Sequence, residues 1–230
     1  MKILRVSAQN LNNTIKAVVM AVKENKVLIF PTDTVYGLIA NAQNEKAVKK
    51  IFKIKGRQFQ KTLPIFVKSL KMARELAFVD KKQEKFLKKV WFTRLNFIEI
   101  EGILDKKRVK IWAGKGKVTA VLKAKPKAKK LFKFGIISSE NKIGLRIPKY
   151  KLINLLLKKL NFPLTGTSAN ISGKPASTKI KEVLKQFKNQ PPTKFGGGQP
   201  DLVIDAGNLP KSKPSKVLDL TNSSPKILRL

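Results

Sequence analysis

Four short apolar segments, at residues 27–30, 63–67, 118–124 and 143–147, limit what this chain can fold into. Each reads as a buried strand, the first of them stopped by Pro31. Between and around them lie stretches whose apolar residues recur at helical spacing. Ile15, Val18, Val19 and Val22 share one face, as do Val48, Ile51 and Phe52, and so do Leu152, Ile153, Leu156, Leu157 and Leu160. Strands and helices mix without strict alternation. The expected class is therefore α/β, a twisted mixed β-sheet flanked by helices, in a single domain over residues 1–230. At 230 residues, 42% of them hydrophobic, the chain can bury a core of that kind.

Boundary signals refine the outline. Asn12 or Asn13 caps the first helix, Asn44 the second and Ser69 the third; Asp80 caps another that reaches about Val90. Residues 96–100 and 108–112 form a hairpin around Asp105-Lys106-Lys107. Residues 149–160 and 177–188 are helical, and 163–165, 202–204, 217–220 and 227–230 are extended. Pro191-Pro192 and Gly196-Gly197-Gly198 mark a loop. No internal repeat and no domain boundary is visible.

Cysteine and histidine are both absent. That excludes disulfides, thiolate or imidazole zinc sites, a cysteine nucleophile and a histidine general base. No apolar run is long enough to cross a bilayer, and residues 1–13 lack a signal-peptide apolar region, so a soluble cytoplasmic protein without membrane contact is expected. Lys and Arg number 50 against 14 Asp and Glu, a formal net charge of +36. Such a field attracts nucleic acid. The lysines are spread along the chain, however, and a compositional bias on solvated faces explains them equally well.

Several segments carry groups suited to chemistry. Lys55-Gly56-Arg57, with Lys61 beyond, comes at a helix end and offers two cations around a glycine turn. It reads either as a solvated basic turn or as a grip on phosphate, arginine as a fork and lysine as a point charge. Residues 165–173 form a small-residue loop holding Ser168 and Asn170, read either as an ordinary capped turn or as a loop that follows a ligand closely. Pro31 to Leu38 follows a strand; Thr32 and Thr34 alternate around Asp33 so that their hydroxyls share a face, and Tyr36 supplies an apolar wall with a polar tip. Arg146 is a lone arginine on a core strand, and it requires either a structural salt bridge or a site to face. No Walker-type phosphate loop is present; Gly114-Lys115-Gly116-Lys117 resembles one only superficially.

Taken in order, Pro31-Thr32-Asp33-Thr34-Val35-Tyr36-Gly37-Leu38, Lys55-Gly56-Arg57, Gly144-Leu145-Arg146-Ile147-Pro148, Ser168-Ala169-Asn170, Pro214-Ser215-Lys216-Val217-Leu218-Asp219 and Lys226-Ile227-Leu228-Arg229 resemble the YrdC-like threonylcarbamoyl-AMP synthase family, from about Val27 to Arg229. The resemblance implies a YrdC-like domain with a basic concave face and no further C-terminal domain. It implies synthesis of threonylcarbamoyl-AMP and pyrophosphate from L-threonine, bicarbonate or CO2, and ATP with Mg2+. Lys55 and Arg57 are implied as catalytic, and Lys55, Arg57, Lys61, Leu145, Arg146, Ser168, Asn170, Thr178 and Arg229 as ATP-binding. Thr32, Thr34, Tyr36, Phe66, Lys149 and Ser215 are implied to bind L-threonine, with no metal ligand among the side chains. Contact with tRNA and a partner threonylcarbamoyl-transferase complex are implied as well. The competing reading is a non-catalytic RNA-binding protein of the same fold. Two departures stand out: Lys216 replaces a usual threonine, and lysines at 115 and 117 replace the prolines of the family's W-P-G-P-x-T, whose tryptophan matches Trp112 two residues early.

Overall fold

The computed structural model describes residues 1–92, 98–101, 108–111, 117–188, 197–222 and 224–229. In chain order the elements are β1 (Lys2–Arg5), α1 (Leu11–Lys23), β2 (Leu28–Phe30), β3 (Gly37–Ile39), α2 (Glu45–Lys55), β4 (Ile65–Phe66), α3 (Leu70–Leu76), α4 (Lys81–Phe92), β5 (Ile98–Glu101) and β6 (Arg108–Ile111). They continue with β7 (Val118–Lys123), α5 (Pro126–Leu131), β8 (Lys142–Arg146), α6 (Lys151–Leu160), β9 (Leu164–Thr165), β10 (Thr167–Ser168), α7 (Ile180–Lys188), β11 (Leu202–Asp205), β12 (Lys216–Asp219) and β13 (Lys226–Arg229).

The α/β class holds, and the described strands other than β5 and β6 divide between two mixed sheets. One runs β1-β11-β2-β3-β10 and the other β13-β12-β7-β8-β4-β9. The hairpin expected near residue 100 is present as antiparallel β5 and β6, Ile98 opposite Ile111. Its turn residues, together with Trp112, Gly114 to Gly116, Pro191-Pro192 and Gly196, lie outside the described residues.

The two sheets meet where one extended segment leaves the second and enters the first. Thr165 pairs with Ile65 of β4, and Thr167 pairs with Leu38 of β3. Gly166 stands between them and donates to the Pro64 carbonyl at 2.8 Å. A Cβ on Gly166 would lie 2.8–3.1 Å from three ring atoms of Phe66. Gly166→Ala is therefore expected to lower stability by about 1–3 kcal/mol, the cost of overpacking, and to displace Phe66. A denaturant midpoint within error of wild type would refute it.

Alternation across the first sheet separates two cores. Leu28 and Phe30 of β2 and Leu202 and Ile204 of β11 pack on α1 and α6, against Ile15, Val18, Leu152 and Leu156. Ile29 and Val203 face the other way, into a core shared with the second sheet and with Val48, Ile51 and Phe52 of α2. Strands covered on both faces need a continuous apolar run, which is what residues 27–30 supply.

Helix caps follow the sequence signals with one shift. Asn44 accepts from the Ala47 N–H, Ser69 from that of Met72, and Asp80 from that of Gln83. The first helix begins earlier than expected, at Leu11 with Asn10 at its N-cap, and Asn12 and Asn13 lie in the first turn. Asn10 prevails because its side chain closes the preceding turn: it accepts from the Ser7 N–H at 2.8 Å and donates to the Arg5 carbonyl at 2.8 Å.

Candidate functional site

A cavity of about 600 Å³ opens between the loop after β2 and the exposed face of the second sheet. The sheet contributes by strict alternation. Thr119 and Val121 of β7 line it, as do Lys142, Gly144 and Arg146 of β8, and Ser215, Val217 and Asp219 on and beside β12. Side chains two apart on a strand share a face. Leu145, between two of these positions, accordingly points into the core and is fully buried.

Helix α2 ends at Gly56, whose left-handed backbone (φ 57°) closes the helix and turns the chain. That turn separates two cations. Arg57 reaches the cavity, with Nε donating to the Lys61 carbonyl at 2.7 Å and Nη2 to that of Thr62 at 3.1 Å. Lys55 goes the other way. It is 2% exposed, and its Nζ donates to the carbonyls of Ser168 (2.6 Å) and Asn170 (2.7 Å) and to Asn170 Oδ1 (3.1 Å). Lys55 thus fastens the 168–170 loop from behind. Within that loop the Ser168 hydroxyl donates to Asn170 Oδ1 at 2.6 Å, and the Asn170 amide donates to the Ile171 and Lys174 carbonyls. Ser168 lines the cavity; Asn170 lies just behind it.

Thr32 and Thr34 bring their hydroxyls within 3.1 Å of each other, and Thr32 donates to the Val35 carbonyl. Asp33, between them, pairs through Oδ1 with Arg146 Nη2 at 2.6 Å, and its Oδ2 accepts from the Lys149 N–H at 3.1 Å. Arg146 is 4% exposed and lines the cavity, its guanidinium over the Phe66 ring at 5.6 Å. Both readings of this arginine hold, since it is salt-bridged and faces the site. Tyr36 forms part of the wall, but its hydroxyl donates to the Gly207 carbonyl (2.6 Å) and accepts from the Ala206 N–H (3.1 Å). Burial pushes that phenol up to about 12, so it remains a donor.

At the opposite wall Arg229 bonds the Ser215 carbonyl from Nε (3.0 Å) and Nη2 (2.6 Å), and Ser215 shares a 3.0 Å hydroxyl bond with Thr119. Burial, and after it the field of Arg229, lowers the pKa of Arg57; burial, and then Arg146, lowers that of Arg229. Arginine stays charged through such shifts. Among the described residues, no carboxylate lies within ion-pair distance of Arg57 or Arg229. Two guanidiniums outside any ion pair among the described residues, in one cavity, make a site for an anion.

The cavity therefore gathers Thr32, Thr34, Tyr36, Arg57, Phe66, Arg146, Ser168, Ser215 and Arg229 of the expected site residues. Lys55 and Asn170 support its wall. Lys61, Leu145, Lys149 and Thr178 do not line it; Lys61 and Lys149 contribute backbone groups to Arg57 and Asp33, and the Thr178 carbonyl accepts from Leu209. Six polar lining positions had no role from the motifs: Thr62, Thr119, Ser138, Glu140, Lys142 and Asn222. Thr119 and Lys142 were findable as polar residues at period two on apolar strands. Lys142 bridges Glu140 (2.6 Å) and Asp219 (3.1 Å). Asp33 was also missed as a partner, although a lone core arginine demands a carboxylate.

With this geometry in view, the relatives are informative. The Sua5/YciO/YrdC family model, described as "Telomere recombination", matches residues 20–112 and 99–230. A Methanocaldococcus jannaschii protein, provisionally assigned as threonylcarbamoyl-AMP synthase, is 32% identical over 221 residues, 95% of this chain and 86% of that protein. The Pyrococcus abyssi threonylcarbamoyl-AMP synthase is 30% identical over 209 residues, 90% of this chain and 51% of its own length. The solved structure of P. abyssi Sua5 complexed with L-threonine superposes with a TM-score of 0.73 at 28% identity, covering 99% of this chain and 56% of that one. The chain thus spans little more than half the length of the Pyrococcus sequence and of the Pyrococcus structure that it matches.

Proposed function

Because the chain belongs to the Sua5/YciO/YrdC family, we propose that it is a threonylcarbamoyl-AMP synthase, forming threonylcarbamoyl-AMP and pyrophosphate from L-threonine, bicarbonate or CO2, and ATP. The observation that carries this reading is the pairing, in one cavity, of two guanidiniums outside any ion pair among the described residues with a pair of threonine hydroxyls beside a buried arginine. The first suits a triphosphate, the second a small hydroxy amino acid.

In this reading the threonine amine captures CO2 as a carbamate and loses a proton. A carbamate oxygen then attacks the α-phosphorus, and the bond to the bridging oxygen breaks as pyrophosphate leaves. The protein aligns the two reactants, excludes water and neutralises charge. Arg57 and Arg229 hold phosphate oxygens. Ser168, set by Asn170 and Lys55, orients the nucleotide. Thr32, Thr34 and Ser215 hold threonine against Phe66 and Tyr36, and Arg146, expected from the resemblance to bind ATP, is reassigned to threonine because it stands 3.4 Å from Thr34 Oγ1.

Among the described residues no cluster of three or more Asp, Glu, His or Cys could hold a metal ion. Magnesium would arrive with ATP and would offset charge on the leaving group. Among the described residues no helix is long and apolar enough to cross a membrane, and the proposed setting is the cytoplasm. The net charge favours contact with tRNA, the final acceptor through a separate transferase.

Incubation of the pure protein with MgATP, bicarbonate and threonine is expected to release pyrophosphate, with far slower release when serine is substituted. RNA binding with no threonine-dependent release would instead identify a non-catalytic module, the reading that the charge alone supports.

A further inference from the structure

We propose that Asp33 is a specificity-determining residue: by pairing with Arg146 it reserves that guanidinium for a carboxylate and keeps polyphosphate out of the amino-acid end of the cavity. The inference rests on the synthase reading for the identity of the two ligands. The cavity presents three guanidiniums, and their counter-charges differ. Arg57 bonds the carbonyls of residues 61 and 62, and Arg229 bonds the Ser215 carbonyl and hydroxyl, all neutral oxygens. Arg146 meets a carboxylate at 2.6 Å, with both side chains almost wholly buried.

Burial of the Asp33–Arg146 pair makes this difference count. A polyanion is drawn to Arg57 and Arg229, whose charge no ion pair among the described residues offsets, although solvent screens the exposed Arg229 in part. Around Arg146 the positive field is offset in part by the Asp33 carboxylate, while the guanidinium keeps its fixed fork of donors. A monoanionic carboxylate is recognised by such hydrogen-bond geometry, whereas a pyrophosphate gains little from it. Asp33 is itself pinned. Its second oxygen accepts from the Lys149 N–H, so the carboxylate cannot swing away. Arg146 Nη1 stands 3.4 Å from Thr34 Oγ1, which directs the fork toward the threonine pair. Both ligands of the reaction are anionic, so a site that did not grade its cations would admit pyrophosphate at either end.

The test is titration of pyrophosphate into the intact protein at physiological ionic strength, with and without threonine, for wild type, Asp33→Asn, Asp33→Glu and the double variant D33N/R146M. Wild type is expected to bind one pyrophosphate in the cavity without competition from threonine. D33N is expected to bind a second, which weakens threonine binding by about tenfold or more. The second equivalent should vanish in D33N/R146M and be absent from D33E, which keeps the charge. A merely structural role for Asp33 would change the melting temperature without creating a second anion site. Should D33N fail to fold, Asp33→Ala carries the same expectation. A single pyrophosphate in D33N, or threonine-competitive pyrophosphate in wild type, overturns the inference. Absence of threonine-dependent turnover in wild type would overturn the synthase reading instead, while the pyrophosphate stoichiometry still decides what Asp33 does.

Discussion

Arg57→Ala is expected to abolish threonine-dependent pyrophosphate release while leaving the fold intact. The guanidinium reaches the cavity on a turn, and its hydrogen bonds go only to the carbonyls of Lys61 and Thr62. Those carbonyls lie on a largely exposed loop where water replaces the lost donors, so the stability cost is small. The catalytic cost is not, because Arg57 and Arg229 are the cavity's guanidiniums outside any ion pair among the described residues, and the variant leaves one of the two. Loss of one preorganised charged donor is worth roughly 10²–10³ in rate, and the fall should appear in kcat as well as in KM for ATP. Steady-state assays together with a thermal melt decide the matter. Normal turnover in the variant, or a collapsed melt, would contradict the assigned role.

Lys55→Met is expected to impair turnover by about 10²-fold through geometry and not through lost ligand contact. Methionine keeps the buried stem, but three acceptors on Ser168 and Asn170 lose their donor. Each unsatisfied buried acceptor costs about 1–3 kcal/mol. Relief from burying a cation offsets part of that sum. The 168–170 loop should loosen, and ATP affinity should fall with the melting temperature.

The same lysine gives a pH signature. Burial first, then the fields of Arg57 and Arg229, bring its pKa down to about 7, against 10.5 ordinarily. Between those values the unfolded chain holds the extra proton, so this group's contribution to stability increases as pH rises from about 7 and levels off above 10.5. A polyphosphate seated between Arg57 and Arg229 removes the repulsion and raises the lysine pKa. ATP binding at pH 8 should therefore take up a proton, seen as a dependence of calorimetric heat on the buffer's ionisation enthalpy. Lys55→Met should lose that uptake.

How much of this was legible beforehand depended on the range of the interactions. Residues 27–30 announced a doubly covered strand, and Asn44, Ser69 and Asp80 announced their helices, because those signals act within a few positions. The short hydroxyl and basic motifs marked Thr32, Thr34, Arg57, Ser168 and Arg229, and the cavity collects them all. What the residues could not disclose was direction. Lys55 and Arg57 are near neighbours in one motif, yet the left-handed turn at Gly56 sends one into the wall and the other into the cavity. Nor could local pattern pair Asp33 with Arg146, 113 positions away, or split the strands into two sheets. The sheet crossing depends on Gly166 fitting against the Phe66 ring, a packing fact with no local signature.

The position of β11 between β1 and β2 sets the order in which the protein can be made. Both outer strands leave the ribosome early, but the slot between them is filled only by residues 202–205, with Val27 tied to Asp201 across 174 positions. Closure of so long a loop must precede its reward, so the first sheet is completed late in translation. A nascent chain stalled before Leu202 would carry β1 without its partner and β2 paired on one edge only, with β3, and quality control would meet it as an unfinished molecule.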